Sequence, residues 1–497
     1  MKKQIISFIT LSSLFILISC KEEKLGNATL TLNTNMSDIV TLKGSGEYKM
    51  KSDVEINAKA YLGYDFLGWY DGDNKISDEL NYKFKMPKKD ITYTAKFELD
   101  DDISNLEFIS NYDICEIKGI KNKELRNIII PSYVTHIDEG ILYGCSNVES
   151  LSIPFVGSEN KEYGKGIIYP LGYIFGREEF QGTSAINQMY RNTVVDDDSY
   201  SSKLESKIYY IPNSLKEISI TNSILLPSYF LSRTNIEKLT IKNIKKVDTD
   251  ALGECNNLEK IYYDDSLSSF SKIDFKEYSL FGNYDLYYKE DDNYHLFDND
   301  LIIPNNVDTI SDNMFNSYVD LVNINFGTNI KYIGEDAFRY CINLENIYFD
   351  GTVDDWININ FYDYSSSPLK TKLSTDSSKI KNLYILDKNG DVTFNNKKYK
   401  LLTDLETSLK IINNASFFGY DNLNIVKLKS GVEKIEEDAF ALSSMKELYI
   451  PSSVTYIDEE AFDNCKNLKL IHNYSNIDIT IEKYGLEEDC VITKEWG

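Results

Sequence analysis

Over most of the chain, apolar and polar positions return as a phrase of some twenty residues rather than as one long helix or strand. The clearest copy runs from Leu448 to Ile471. Leu448 and Ile450 alternate with polar neighbours up to Pro451, which predicts a strand. Ser452 and Ser453 then turn the chain, and Ala461 and Phe462 fall on a short helical turn. Cys465, Asn467 and Leu468 lead into the next strand. The same order recurs at Ile435, Ala439, Phe440, Met445 and Leu448, and at Ile333, Ala337, Phe338, Cys341, Asn343, Leu344, Ile347 and Phe349. The marker phenylalanines stand 22 residues apart (462 − 440) or 23 apart (440 − 417, 338 − 315). One copy has too few apolar side chains to offset the entropy of ordering it, so copies must stack and share their buried faces.

A fixed period in the twenties predicts an α/β solenoid, a leucine-rich repeat array of short parallel strands and short helices. The array spans 100–480. Its first clear strand carries Leu125, Ile128 and Ile130, and inserts near 157–207 and 351–405 interrupt the period. Residues 264–300 form a further irregular, acidic and Tyr-rich passage. Residues 481–497 lose the pattern and are expected to cap the stack. Ahead of the array, Val54, Ile56, Ala58 and Ala60 alternate with polar residues, as do Tyr82, Phe84 and Met86, and Tyr93, Ala95 and Phe97. They predict a small all-β domain over 27–99, in which Trp69 is a core residue rather than a binding aromatic, and Asp71 and Asp73 belong to a hairpin turn.

The phrase Ile450-Pro451 through Cys465, Asn467, Leu468 and Ile471 resembles the repeat of BspA-type leucine-rich repeat proteins, a bacterial cell-surface group. The inserts resemble recurrent inserts of that group. The run Gly63 to Gly72 with Met86-Pro87 and Ala95-Lys96-Phe97 resembles the divergent internalin-type B-repeat. At the N-terminus, Lys2 and Lys3 precede an apolar run, Ile5 to Ile18, that ends at Leu17-Ile18-Ser19-Cys20. The pattern is that of a secretory signal. Its ending resembles the bacterial lipobox, which implies a signal peptide over 1–20, an acylated Cys20 and a linker over 21–26. No other apolar run is long enough to span a bilayer.

Charge narrows the function. The net charge is −25, from 53 basic and 78 acidic side chains, which argues against nucleic acid and against a polybasic membrane patch. His136, His295 and His472 are the only histidines, and none sits in a metalloprotease or nucleophile motif. Cys145, Cys255, Cys341 and Cys465 share one repeat slot, which suggests a small buried residue rather than a bond, and Cys115 and Cys490 cannot be paired from sequence. No zinc spacing appears. Acidic pairs such as Glu459-Glu460 and Asp354-Asp355, and the run Asp196 to Asp198, read as solvated faces and loop tips. The expectation is therefore no enzyme, no cofactor and no metal.

Strand residues alternate in and out. The outward column is predicted to contain Ser152, Thr240, Tyr262, Asn325, Tyr348, Lys427, Tyr449 and His472. On the concave face of a solenoid, such a column is where partners bind. Tyr262, Tyr348 and Tyr449, with Asn325, Lys427 and His472, are the candidate contacts; the alternative is solvated strand residues chosen for β-propensity. The BspA-type resemblance implies a membrane-anchored surface lipoprotein that binds extracellular or host proteins in adhesion. A structural spacer and a polysaccharide-capturing protein remain alternatives.

Overall fold

The computed structural model describes residues 26–161, 166–196, 199–370 and 381–494. The expected signal peptide with Cys20, most of the linker, and Asp197 and Asp198 lie outside the described residues. Two compact units emerge, Met1–Asp100 with Asn111–Asp113, and Asp101–Ser110 with Ile114–Gly497. Among the described residues no helix is long and apolar enough to cross a membrane.

The first unit is all β, as its alternation predicts. A five-stranded sheet runs in the order Gly46–Lys49, Asn27–Thr34, Ile91–Leu99, Tyr64–Asp71, Asn74–Ser77, and a three-stranded sheet joins Val40–Lys43, Asp53–Ala60 and Asn81–Lys85. Their inner faces pack Leu30, Val54, Ile56, Ala58, Trp69, Ala95 and Phe97 into one core. Trp69 is fully buried. Asp71 pairs with Asn74 across the hairpin, so Asp73 sits in its turn.

The second unit is a β-solenoid. Each regular coil contributes a four-residue strand, then a two-residue strand, then a turn that carries the marker apolar residue. The four-residue strands stack in parallel. Asn323–Phe326, for example, pairs with Asn346–Phe349 in strict register, Ile324 against Ile347 and Phe326 against Phe349. A second parallel ladder joins the two-residue strands, such as Ile411–Ile412, Lys434–Ile435 and Tyr456–Ile457. Marker rings stack along the interior: Phe417 on Phe440 at 5.6 Å and Phe440 on Phe462 at 6.2 Å between centroids.

The expected short helices are replaced by turns. In the regular coils the segment around the marker residue is a string of turns that shares its hydrogen bonds with the neighbouring coil. The amides of Asn313, Phe315 and Ser317 donate to the carbonyls of Glu335, Ala337 and Arg339 in the next coil. The intervening amides of Met314, Asn316 and Tyr318 close local turns on Ser311, Asn313 and Phe315. A helix would have spent all of these donors on itself, whereas this arrangement adds a third ladder between coils. The α-helices among the described residues, Leu267–Phe270 and Val353–Ile357, both lie in interrupted passages.

The interruptions are coils with additions. In the first, Leu171–Ile174 supplies a buried turn that accepts from Gly140 and Leu142 through the carbonyls of Tyr173 and Ile174. A long hairpin, Thr183–Asp196 with Ser199–Pro212, follows, and its base packs on the coils through Ile186, Gln188 and Tyr209. In the second, Val353–Ile357 is closed by a Thr352–Asp355 capping box and buries Trp356. Within the 100–480 span, Leu106–Ser110 and Cys115–Ile120 pair antiparallel ahead of the first clear repeat strand and bury Leu106, Ile117 and Ile120. At the far end, Val491–Thr493 adds one more parallel strand beside Leu470–Asn473.

Candidate functional site

Because the long strands stack in register, their outward residues form one column in each of three sheets. The first contains Ile129, Ser152, Ser219, Thr240, Tyr262 and Tyr287. The second contains Ile302, Asn325, Tyr348 and Tyr384. The third contains Glu406, Lys427, Tyr449, His472 and Thr493. All six candidate residues therefore stand where alternation places them, but the surroundings of several differ from expectation.

Asn325, Tyr348 and His472 are buried, at 1%, 6% and 4% exposure. A hairpin made by Val392–Phe394 and Lys397–Leu401 follows the strand Asn382–Leu386 and curls back over the second column. Phe394 stacks on Tyr348 at 4.2 Å and Tyr384 stacks near it at 5.0 Å. Beneath the hairpin, Asp350 accepts from the Tyr399 hydroxyl (2.6 Å), the Lys397 ammonium (2.5 Å) and the Asn325 amide (3.1 Å). Burial works against the Asp350 charge, but these three donors prevail and hold its carboxyl below the usual range.

A shorter hairpin, Asp285–Glu290 with Asn293–Leu296, does the same to the first column. Tyr262 is half-buried. It stacks on Tyr287 at 4.8 Å, meets the edge of Tyr294 at 4.9 Å and lies 5.4 Å from the Lys238 ammonium. Asp264 accepts from the Tyr294 hydroxyl at 2.8 Å and pairs with Lys289 and Lys242. Against the opposing effect of burial, these partners hold its carboxyl below the usual range.

The third column keeps the most open face. Lys427 is exposed, with its ammonium 5.5 Å from the ring of half-buried Tyr449. Tyr449 stacks on His472 at 4.1 Å and donates its hydroxyl to Glu447 Oε1 at 2.7 Å, an oxygen that also lies 2.8 Å from His472 Nε2. The Tyr449 bond, joined by that of His472, outweighs burial and lowers the Glu447 carboxyl. Apolar exposure in the columns falls at Ile129 and Ile302, at 46% and 41%. Neither belongs to the column predicted from the sequence. Alternation about Ile128 and Ile130 already turns Ile129 outward, and the register against Asn325 places Ile302 in the same way.

The histidines do not converge. His136 contacts Asp138 and Glu159, His295 stacks near Tyr288, and His472 belongs to the third column. The six described cysteines are free. Cys341 and Cys465 donate to the carbonyls of Phe315 and Phe440 in the preceding coil, each at 3.1 Å. Burial pushes both thiols up to about 12, the setting of an inert structural thiol.

A family model described as the BspA type leucine rich repeat region matches residues 85–165, 178–284, 294–384 and 387–494. One described as the divergent InlB B-repeat domain matches residues 28–101. The chain belongs to the BspA-type leucine-rich repeat family and carries a divergent B-repeat module before its array. Among solved structures, a leucine rich cell surface protein from Faecalibacterium prausnitzii A2-165 is 16% identical over 74% of this chain and 93% of its own, with a TM-score of 0.21. A leucine-rich repeat protein from Bacteroides ovatus ATCC 8483 is 14% identical over 79% and 98%, with a TM-score of 0.21. The leucine rich repeat protein of T. pallidum is 13% identical over 49% and 83%, with a TM-score of 0.17. No curated protein matches the chain.

Proposed function

We propose that this protein is a non-catalytic bacterial surface lipoprotein, held to the membrane through Cys20, whose repeat array binds extracellular or host proteins in adhesion. Membership of the BspA-type family supports a repeat array used for interaction rather than chemistry. The observation that carries the reading is the outward placement of Ile129 and Ile302 in strand columns that otherwise present polar and tyrosine groups. Apolar side chains standing out of an ordered sheet among such groups match the mixed character of a protein-binding surface.

The polysaccharide alternative needs open ring faces. Here Tyr262, Tyr348 and Tyr449 turn their faces to neighbouring rings and offer edges and hydroxyls, which favours protein. Binding of the array to immobilised matrix and serum proteins is the test, with Ile129→Asp plus Ile302→Asp as the variant. Capture that falls at least tenfold in a variant of unchanged melting temperature supports the reading. No capture by the wild type from any such source favours the spacer. Cys20→Ala is expected to release the protein from the membrane fraction into the medium.

A further inference from the structure

Stacked coils place equivalent turn positions above one another, so like charges at one position are stacked as well. Asp438 and Glu460 each stand two residues before a marker phenylalanine, Phe440 and Phe462, in coils joined by the bond from Phe440 N–H to Ala461 O (3.0 Å). Glu437 completes the group: one carboxylate oxygen from each of Glu437, Asp438 and Glu460 lies within 4.8 Å of the others. A second observation concerns Asp438 itself. It is 9% exposed, and among the described residues its carboxylate has no hydrogen-bond or ion-pair partner while facing the other two. Lys483, which lines the same face, pairs with Glu459 at 3.8 Å. A buried carboxylate among like charges needs a counter-charge. Glu437 and Glu460 line a groove together with Tyr456, Asp458, Lys483 and Tyr484, and Asp438 stands behind them.

We propose that Glu437, Asp438 and Glu460 form a calcium site that ties two successive coils together. The donors are all carboxylate oxygens, the set that hard divalent cations take. Two oxygens on one ion stand no further apart than twice the metal–oxygen distance, about 4.6–5.2 Å for calcium and about 4.0–4.2 Å for magnesium. Carboxylate oxygens within 4.8 Å of one another can share one cation, and calcium's flexible geometry accepts such a set without the near-ideal octahedron that magnesium demands. Three protein ligands leave the remaining positions to water, and affinity falls at about 10⁻⁴–10⁻³ M, the range of extracellular modules. No local motif announces these ligands; the coil period, 22 residues here (460 − 438), brings them together.

The test uses the whole chain freed of metal by a chelator and titrated with calcium chloride, magnesium chloride or terbium. Thermal unfolding is the first readout. Terbium luminescence sensitised by Tyr456 and Tyr484, which line the groove, is the second. Calcium at about 5 mM is expected to raise Tm by about 2–5 °C, and magnesium by less. Asp438→Asn and Glu460→Gln lose most of the calcium shift and of the terbium signal, while Glu459→Gln keeps both. Glu460 is exposed, so its variant decides the matter if Asp438→Asn folds poorly. Equal calcium shifts in the wild type and both site variants overturn the proposal, as does a wild type that answers neither calcium nor terbium.

Discussion

At the scale of single residues, the array depends on backbone conformations that L-residues seldom adopt. Two positions per turn, four residues apart, carry positive φ: Asp250 and Glu254, Asn313 and Ser317, Asp336 and Tyr340, Asp438 and Leu442. These angles let alternate amides point at the next coil instead of closing a helix. Asp and Asn tolerate the left-handed region, but a branched aliphatic residue is strained there. Leu442 holds φ 58, while the same slot of the preceding coil is Gly419. Leu442→Gly is therefore expected to stabilise the fold by about 0.5–1 kcal/mol, the strain released less the extra entropy of glycine in the unfolded chain. Denaturant unfolding measures it, and a loss of stability would show that Leu442 contributes more through packing than its backbone costs. The asparagine ladder gives a second residue-scale test. Asn323, Asn346, Asn382 and Asn422 each donate to the side-chain oxygen of the ladder member before it, at 2.6–2.9 Å, starting from Asp300. Asn346→Asp replaces a donor with a charge that faces the Asn323 oxygen. It should destabilise by about 1–3 kcal/mol at neutral pH and recover as pH falls below about 4, where the new carboxyl protonates.

At the scale of elements, periodicity revealed the strands and their registers, because a stacked coil needs the same apolar positions in every copy. It misread the turns. Ala439 and Phe440, or Ala461 and Phe462, were expected on a short helical turn, and nothing local announces that this segment bonds to another coil 22 or 23 residues away. The outward column was equally legible, but its coverage was not. Alternation gives direction, whereas the burial of Tyr348 depends on a hairpin dozens of residues later in the chain. That hairpin is fastened through Asp350, Lys397 and Tyr399, which leads to a pH prediction. The folded-state pKa of Asp350 is depressed, so its stabilisation is present above the unfolded carboxylate value, about 4, and is lost as pH falls through the lower folded value. The hairpin of the wild type should loosen as pH falls below about 4, whereas Asp350→Asn should already be looser at neutral pH and change little on acidification. Hydrogen exchange across 392–401 reads both. Tyr399→Phe, which removes one charge-assisted bond, is expected to cost about 1.5–3 kcal/mol locally without moving the coils.

At the scale of the whole array, the long-strand sheet is not continuous. It runs in three stretches, ending at the hairpins 285–296 and 382–401. Side chains rather than a backbone ladder sew the joints. At the first, the Asn313 and Asn316 amides donate to the carbonyls of Phe275 and Glu277, and Phe281 stacks on Tyr318 at 4.1 Å. At the second, Trp356 Nε1 donates to Ser416 O at 2.8 Å, Thr407 donates to Asp354 at 2.7 Å, and Tyr420 donates to Leu402 O at 2.5 Å. In a repeat protein, stability is a sum of unit and interface terms, so cooperativity fails first where an interface is weakest. Trp356→Phe keeps a buried aromatic but leaves the Ser416 carbonyl unpaired, at a cost of about 1–3 kcal/mol. Its effect should be directional. Coils 404–494 are expected to lose hydrogen-exchange protection and to melt as a separate transition, while 114–263 keep wild-type protection. Uniform loss across all three stretches would mean that the joints carry as much coupling as the continuous ladders do.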